Sequence, residues 1–211
     1  DRSKLLCIKI NSKNDLKKGK KLIIFRAQKG LHFTSLINKR IEDQIVYLIS
    51  EKTWITPNRI TITANILALI VAIFFIKGWF KIAPILAYLV GIIDGLDGKL
   101  ARARGILTKL GHIEHSFDML YEQIWYISFA IGLYLSGYGT FSLLLGLMFL
   151  LSDTFVRHCY MQFRITMGAP LKTYSRFDLI FARIDGRRNV YLIYMILFSW
   201  ILEQIYALYA M

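Results

Sequence analysis

The stretch IIDGLDGKLARARGILTKLGHIEHSFDMLYE, Ile92 to Glu122, places four carboxylates, Asp94, Asp97, Glu114 and Asp118, inside or at the mouths of segments otherwise apolar enough to cross a membrane. Hydrocarbon cannot solvate an ionised acid, so each one there needs a metal, a charged partner or a water-filled cavity. Asp94 and Asp97 stand three apart and Glu114 and Asp118 four apart, intervals that keep two side chains on one helical face. Two such helices are expected to present all four acids to one cavity and a shared cation. Oxygen ligands of this kind suit magnesium, manganese or calcium rather than zinc, and the cluster contains no cysteine. Gly95, Gly98 and Ala101 strip side chains from the helix beside the acids, so that backbone and ligand can approach closely. Arg102 and Arg104 follow as planar donors suited to phosphate. Carboxylates, a divalent metal and arginine are together the equipment of phosphoryl transfer.

Outward from that stretch the chain alternates apolar runs with short turns. Thr56-Pro57-Asn58 marks a helix start, with Thr56 as cap and Pro57 in the first turn. The run Ile60–Ile76 carries no charge and, with its flanks, is long enough to span. Asn65 within it reads either as a residue facing the ligand or, as is more frequent for a small polar side chain, as one bonded to a neighbouring helix. A turn with Lys77, Trp79 and Lys81 leads to a second span from Ile82 to Arg104. The third begins between Thr108 and Gly111 and runs to Ser136; the fourth, Thr140 to Arg164, carries Asp153 and Arg157 four apart. After a basic segment, Met167–Arg188, a fifth span runs from Asn189 to Leu202, and IYALYAM opens a sixth that this chain does not complete.

Before the first span, Phe33, Leu36, Ile37, Ile41, Ile45, Leu48 and Ile49 recur at helical steps among Lys39, Arg40, Glu42 and Asp43. Residues 31–52 are therefore read as an amphipathic helix lying in the membrane interface, with Trp54 as an anchor. Residues 1–30 are lysine-rich, show no signal-peptide pattern, and suit a basic tail attracted to anionic headgroups. The chain's 211 residues are 55% hydrophobic with a formal charge of +13, a combination that points to a polytopic membrane protein and away from a soluble nucleic-acid binder. The basic segments, the N-terminus, residues 99–109 and residues 164–188, all fall on one side, so the acids are expected to open to the cytoplasm across the cytoplasmic membrane. Cys7 and Cys159 have no metal-ligand spacing and read as free thiols.

These residues resemble the CDP-alcohol phosphotransferases, whose signature is D-x2-D-G-x2-A-R-x8-G-x3-D-x3-D. Asp94, Asp97, Gly98, Ala101, Arg102 and Gly111 fall in register. The family's third and fourth aspartates would land on His115 and Met119, whereas this chain has Glu114 and Asp118 one residue earlier with their separation preserved. Either Glu114 or His115 then stands as third ligand. The resemblance implies an all-α polytopic bundle over residues 53–211 with five to six transmembrane helices. It implies Mg2+ or Mn2+ on Asp94, Asp97, Glu114 and Asp118, with Asp118 also the general base. Nucleotide contacts would come from Asp94, Gly98, Ala101, Arg102 and, through the ITPNRITIT stretch, Asn58. Glu122, one turn beyond Asp118, is a candidate to support the site residues from behind, with a purely structural role preferred.

The implied reaction joins a CDP-alcohol donor to a polar or phosphorylated alcohol acceptor with loss of CMP, without nucleic acid. IDGRRNVYL resembles the region of members that use inositol phosphates, which makes Arg157, Arg187 and Arg188 the candidate acceptor contacts. Residues 1–30 also resemble the tail of a cytidylyltransferase domain, and relatives of this kind often form homodimers in the bilayer. A phospholipid synthase using CDP-diacylglycerol or CDP-archaeol is the rival enzyme reading. A cation transporter would spread its acids along the depth of several spans. An inactive scaffold of the same fold would explain the displaced third and fourth acids.

Overall fold

A computed structural model of the chain describes residues 9–28, 33–106, 110–184 and 188–211. Among these there are nine α-helices and no strands: α1 (Lys13–Arg26), α2 (Phe33–Ile49), α3 (Pro57–Ile76), α4 (Ala83–Arg104), α5 (Leu110–Leu133), α6 (Thr140–Met167), α7 (Arg176–Ile184), α8 (Arg188–Ile201) and α9 (Ile205–Ala210). Their starts follow from local chemistry. Thr56 Oγ1 accepts from the Arg59 amide at 3.3 Å ahead of Pro57, and Ser12 and Asp15 bond reciprocally at the start of α1, as a capping box does. α4 stops at Gly105, whose φ of 65° is left-handed and open to glycine.

α3, α4 and α5 form the centre, with α6 against α5 and α8 against α4. Ala64, Ala68 and Ala72 on α3 and Ala83 and Ala87 on α4 are small, so the backbones approach and the aromatic side chains of α5 fill the remaining space. Trp125 reaches across to donate to the Ala68 carbonyl at 2.8 Å. A β-carbon on Gly132 would lie 2.1 Å from the Phe75 carbonyl oxygen, and one on Gly146 would lie 2.4 Å from Ala130 Cβ. These contacts explain glycine at these two positions of long helices.

α3 and α6 are each long and apolar enough to cross a membrane. Ile62, Ile66, Leu69 and Ile73 on α3, and Leu144, Leu147, Leu151 and Phe155 on α6, face outward, as in a bundle surrounded by hydrocarbon. α4 and α5 run 22 and 24 residues but carry the charged groups, while α8 is a 14-residue apolar helix and α9 has six residues. Of the five to six spans expected, two helices among the described residues meet this length and apolarity. A nine-residue helix, α7, capped by Ser175 and Asp178, occupies part of the segment read only as basic. α1 and α2 pack together and onto α4 around Ile24, Val46, Leu96 and Leu100.

Candidate active site

Asp94 and Asp97 project from one face of α4 toward Glu114 on α5, and a carboxylate oxygen from each lies within 4.8 Å of the others. Asp94 and Asp97 are only 7% and 2% exposed. Two like charges about 5 Å apart at an effective dielectric of about 20 repel by about 3 kcal/mol, so three acids held this way favour a bound cation.

The neighbours engage both oxygens of Asp97 and one oxygen of Asp94. Asp97 accepts from Thr61 Oγ1 on α3 and from the Gly98 amide. Asp94 Oδ2 accepts from Arg188 Nη2 at 3.1 Å, while Asp94 Oδ1 is buried without a hydrogen-bond partner. Asp118 Oδ1 is likewise buried without a partner, and Asp118 interacts electrostatically with Asp94 and Arg188. Orphaned buried oxygens beside three converging carboxylates fit a hard divalent ion. His115 has a side chain 89% exposed, with its Nδ1 3.9 Å from Asp118 Oδ2.

Beyond the acids the charges are paired. Arg188 also donates to Tyr121 Oη and lies 3.2 Å from Glu122 Oε1. Glu122 Oε2 takes Arg157 Nη2 at 2.5 Å, and Arg157 Nε donates to Asp153 Oδ2 at 2.6 Å. Arg157 and Arg188 therefore meet on one carboxylate inside the bundle. Arg187 lies outside the described residues. Asn58 is half-buried one turn before Thr61 on α3, and Gly98 and Ala101 are half-buried on α4.

Of the two arginines after the acids, Arg104 departs from the phosphate-donor reading. Arg104 donates to the carbonyls of Ile49, Ser50, Lys52 and Ile55 at 2.7–3.1 Å, supplying the end of α2 with the donors that a helix C-terminus lacks. Arg102 Nε donates to the Ala27 carbonyl at 2.6 Å, just past α1, and its guanidinium covers Gly98, where a β-carbon would meet Nη1 at 3.0 Å. Asn65 also departs from expectation, donating to Thr61 of its own helix at 2.9 Å rather than to a neighbour.

A family model described as CDP-alcohol phosphatidyltransferase matches residues 54–210. The chain belongs to that family. The match begins at the approach to α3 and takes in every residue of the acid cluster, whereas α1 and α2 precede it. A bifunctional IPC transferase and DIPP synthase of Thermococcus kodakarensis is 31% identical over 135 residues, covering 56% of this chain and 31% of that protein. The inner membrane protein YnjF of Escherichia coli is 32% identical over 74 residues, covering 35% of this chain and 36% of that protein. The chain thus aligns with about a third of each relative's length. Among CDP-alcohol phosphatidyltransferases a divalent metal is generally used, and the Asp94–Asp97–Glu114 group is compatible with one. Sequence reading did not single out Thr61 or Lys99. A hydroxyl in an uncharged span and a lysine beside the second aspartate were the only signals, and both residue types have ordinary uses there.

Proposed function

We propose that this chain is an integral-membrane transferase that moves a phosphoalcohol group from a CDP-alcohol to an acceptor hydroxyl and releases CMP. The observation that carries the reading is the convergence of Asp94, Asp97 and Glu114 from two helices within a family-matched bundle. Asp94, Asp97, Glu114 and Asp118 would hold Mg2+ or Mn2+, which would supply charge neutralisation for the pyrophosphate and for CMP as leaving group. Thr61 and Arg188 hold Asp97 and Asp94 in place by hydrogen bonds. Gly98, Ala101, Arg102 and Asn58 line the nucleotide side. Asp118 accepts the proton of the acceptor hydroxyl as its oxygen bonds to the phosphorus bearing the alcohol and the bond to CMP breaks. Basic segments keep this face toward the cytoplasm.

For the acceptor, a phosphorylated alcohol of the inositol phosphate kind is favoured, with CDP-inositol as donor. Arg157 and Arg188, fixed side by side on Glu122, retain N–H groups suited to phosphate, and Arg187 adjoins them in sequence. The name of the Thermococcus relative, a DIPP synthase, agrees with this choice. One observation favours a lipid donor instead. An apolar groove of about 380 Å3 between α3 and α5 runs outward past Ile66, Leu69 and Ile124 from Thr61 and Tyr121 at the cluster, and would accommodate a chain of CDP-diacylglycerol or CDP-archaeol. Purified protein given Mg2+ and either donor, with inositol phosphate, decides between them by CMP release and by the phase that holds the product. A water-soluble product supports the first reading, a solvent-extracted product the second, and no CMP from either donor refutes both.

A further inference from the structure

α1 and α2 lie ahead of the matched region, yet they meet the acid-bearing helix through one fully buried ammonium. Lys99 on α4 has no exposed surface. Its Nζ lies 2.5 Å from Asp43 Oδ1 and 3.4 Å from Glu42 Oε2 on α2, and donates to Gln28 Oε1, just past α1, at 2.6 Å. One cation therefore joins three parts of the chain.

The same face of α4 is seated tightly. Gly95 stands one turn before Lys99, and a β-carbon there would lie 3.3 Å from Glu42 Oε1. Glu42, itself only 7% exposed, thus fits against α4 between Gly95 and the lysine. An ammonium removed from water is destabilising unless its partners stay within reach. Sliding or rotating α4 on α2 would break those contacts, so the pairing sets the depth and rotation of α4. A helix is stiff over one turn, and Asp97 is two residues from Lys99, while Asp94 directly precedes Gly95. Whatever fixes the α2-facing side of α4 also fixes where its acids point.

We propose that Lys99, gripped by Glu42 and Asp43, is a positioning residue that sets Asp94 and Asp97 opposite Glu114, making α2 a working part of the cation site. This inference rests on reading the three acids as a cation site. It differs from two simpler roles. If Lys99 acted only through its charge, its removal would lower repulsion and tighten cation binding. If it served only stability, the folded protein would bind cations unchanged.

The test measures Mn2+ binding to the full chain in detergent, from the paramagnetic resonance signal of the free ion. Lys99→Met is expected to weaken binding about 10-fold, the scale on which partners behind metal ligands act, although it removes a positive charge. Glu42→Gln combined with Asp43→Asn is expected to weaken it as well. Two substitutions of opposite charge effect would then move affinity the same way. Gly95→Ala leaves every charge in place and adds one methyl against Glu42, and is expected to cause a smaller loss in the same direction. Unchanged or tighter binding in Lys99→Met overturns the proposal. If that variant does not fold, unchanged binding in Gly95→Ala overturns it. No binding by the parent chain would overturn the cation reading itself and this inference with it, whereas a binding parent with unaffected variants would overturn the inference alone.

Discussion

Two groups of buried charge sit within the same bundle and are built in opposite ways. In the Asp153–Arg157–Glu122–Arg188 group every acid faces a guanidinium at 2.5–3.2 Å, and the charges nearly balance. In the Asp94–Asp97–Glu114 group three acids face one another, Arg188 is the cation bonded to Asp94 at 3.1 Å, and Asp94 Oδ1 has no donor. The first arrangement is complete as it stands, whereas the second is complete only with an added positive charge. Arg188 belongs to both, so the balanced group also aims an acid of the unbalanced one.

The largest expected effect separates binding from chemistry. Asp118→Asn should lower kcat for CMP release by about 10^2- to 10^4-fold, the usual share of a general base, while Mn2+ binding survives in part. Unchanged turnover would remove Asp118 from that role. Next, breaking the balanced group should unfold the bundle more readily. Glu122→Gln leaves Arg157 and Arg188 without their shared acid and should cost about 3 kcal/mol of stability, as removal of one partner from a buried pair does, read as a lower thermal midpoint.

The unbalanced group should respond with the opposite sign. Asp97→Asn in metal-free protein should raise the thermal midpoint, because the repulsion relieved, about 3 kcal/mol, exceeds the about 1 kcal/mol lost with one of the two bonds from Thr61 and the Gly98 amide. Mg2+ at about 100 times its Kd should stabilise the parent by about 2.7 kcal/mol and the Asp97→Asn variant much less. Equal behaviour of Glu122→Gln and Asp97→Asn would erase the distinction between the groups. The smallest effect lies at the surface. Lys20, 2.6 Å away, holds the Glu51 carboxyl below its ordinary 4.5. A lowered value gives a contribution that is present above pH 4.5 and lost as pH falls through the folded-state value. Glu51→Gln should therefore shift the midpoint slightly at neutral pH and not at all at low pH, and about 1 M salt should abolish the difference.

Much of this was legible in the order of residues. Helical spacing placed Asp94 with Asp97, Thr56-Pro57 marked the start of α3, and apolar runs marked α3 and α6 as span candidates. Arg104 was not legible, because a guanidinium suits phosphate and helix-end carbonyls equally, and only the arrival of the end of α2 selects the latter. α7 was hidden by its length, since nine residues give little periodicity to read.

The sequence by itself determined that the chain is helical, that it carries buried acids in pairs, and that its family is that of the CDP-alcohol phosphatidyltransferases, because spacing and residue type are properties of a single strand of text. The tertiary structure alone decided which acids meet, that Thr61 and Arg188 steer them, and that Lys99 turns away from them toward α2. Those outcomes depend on which helices approach one another and how closely, and that is set by packing of small and large side chains between elements far apart in the chain.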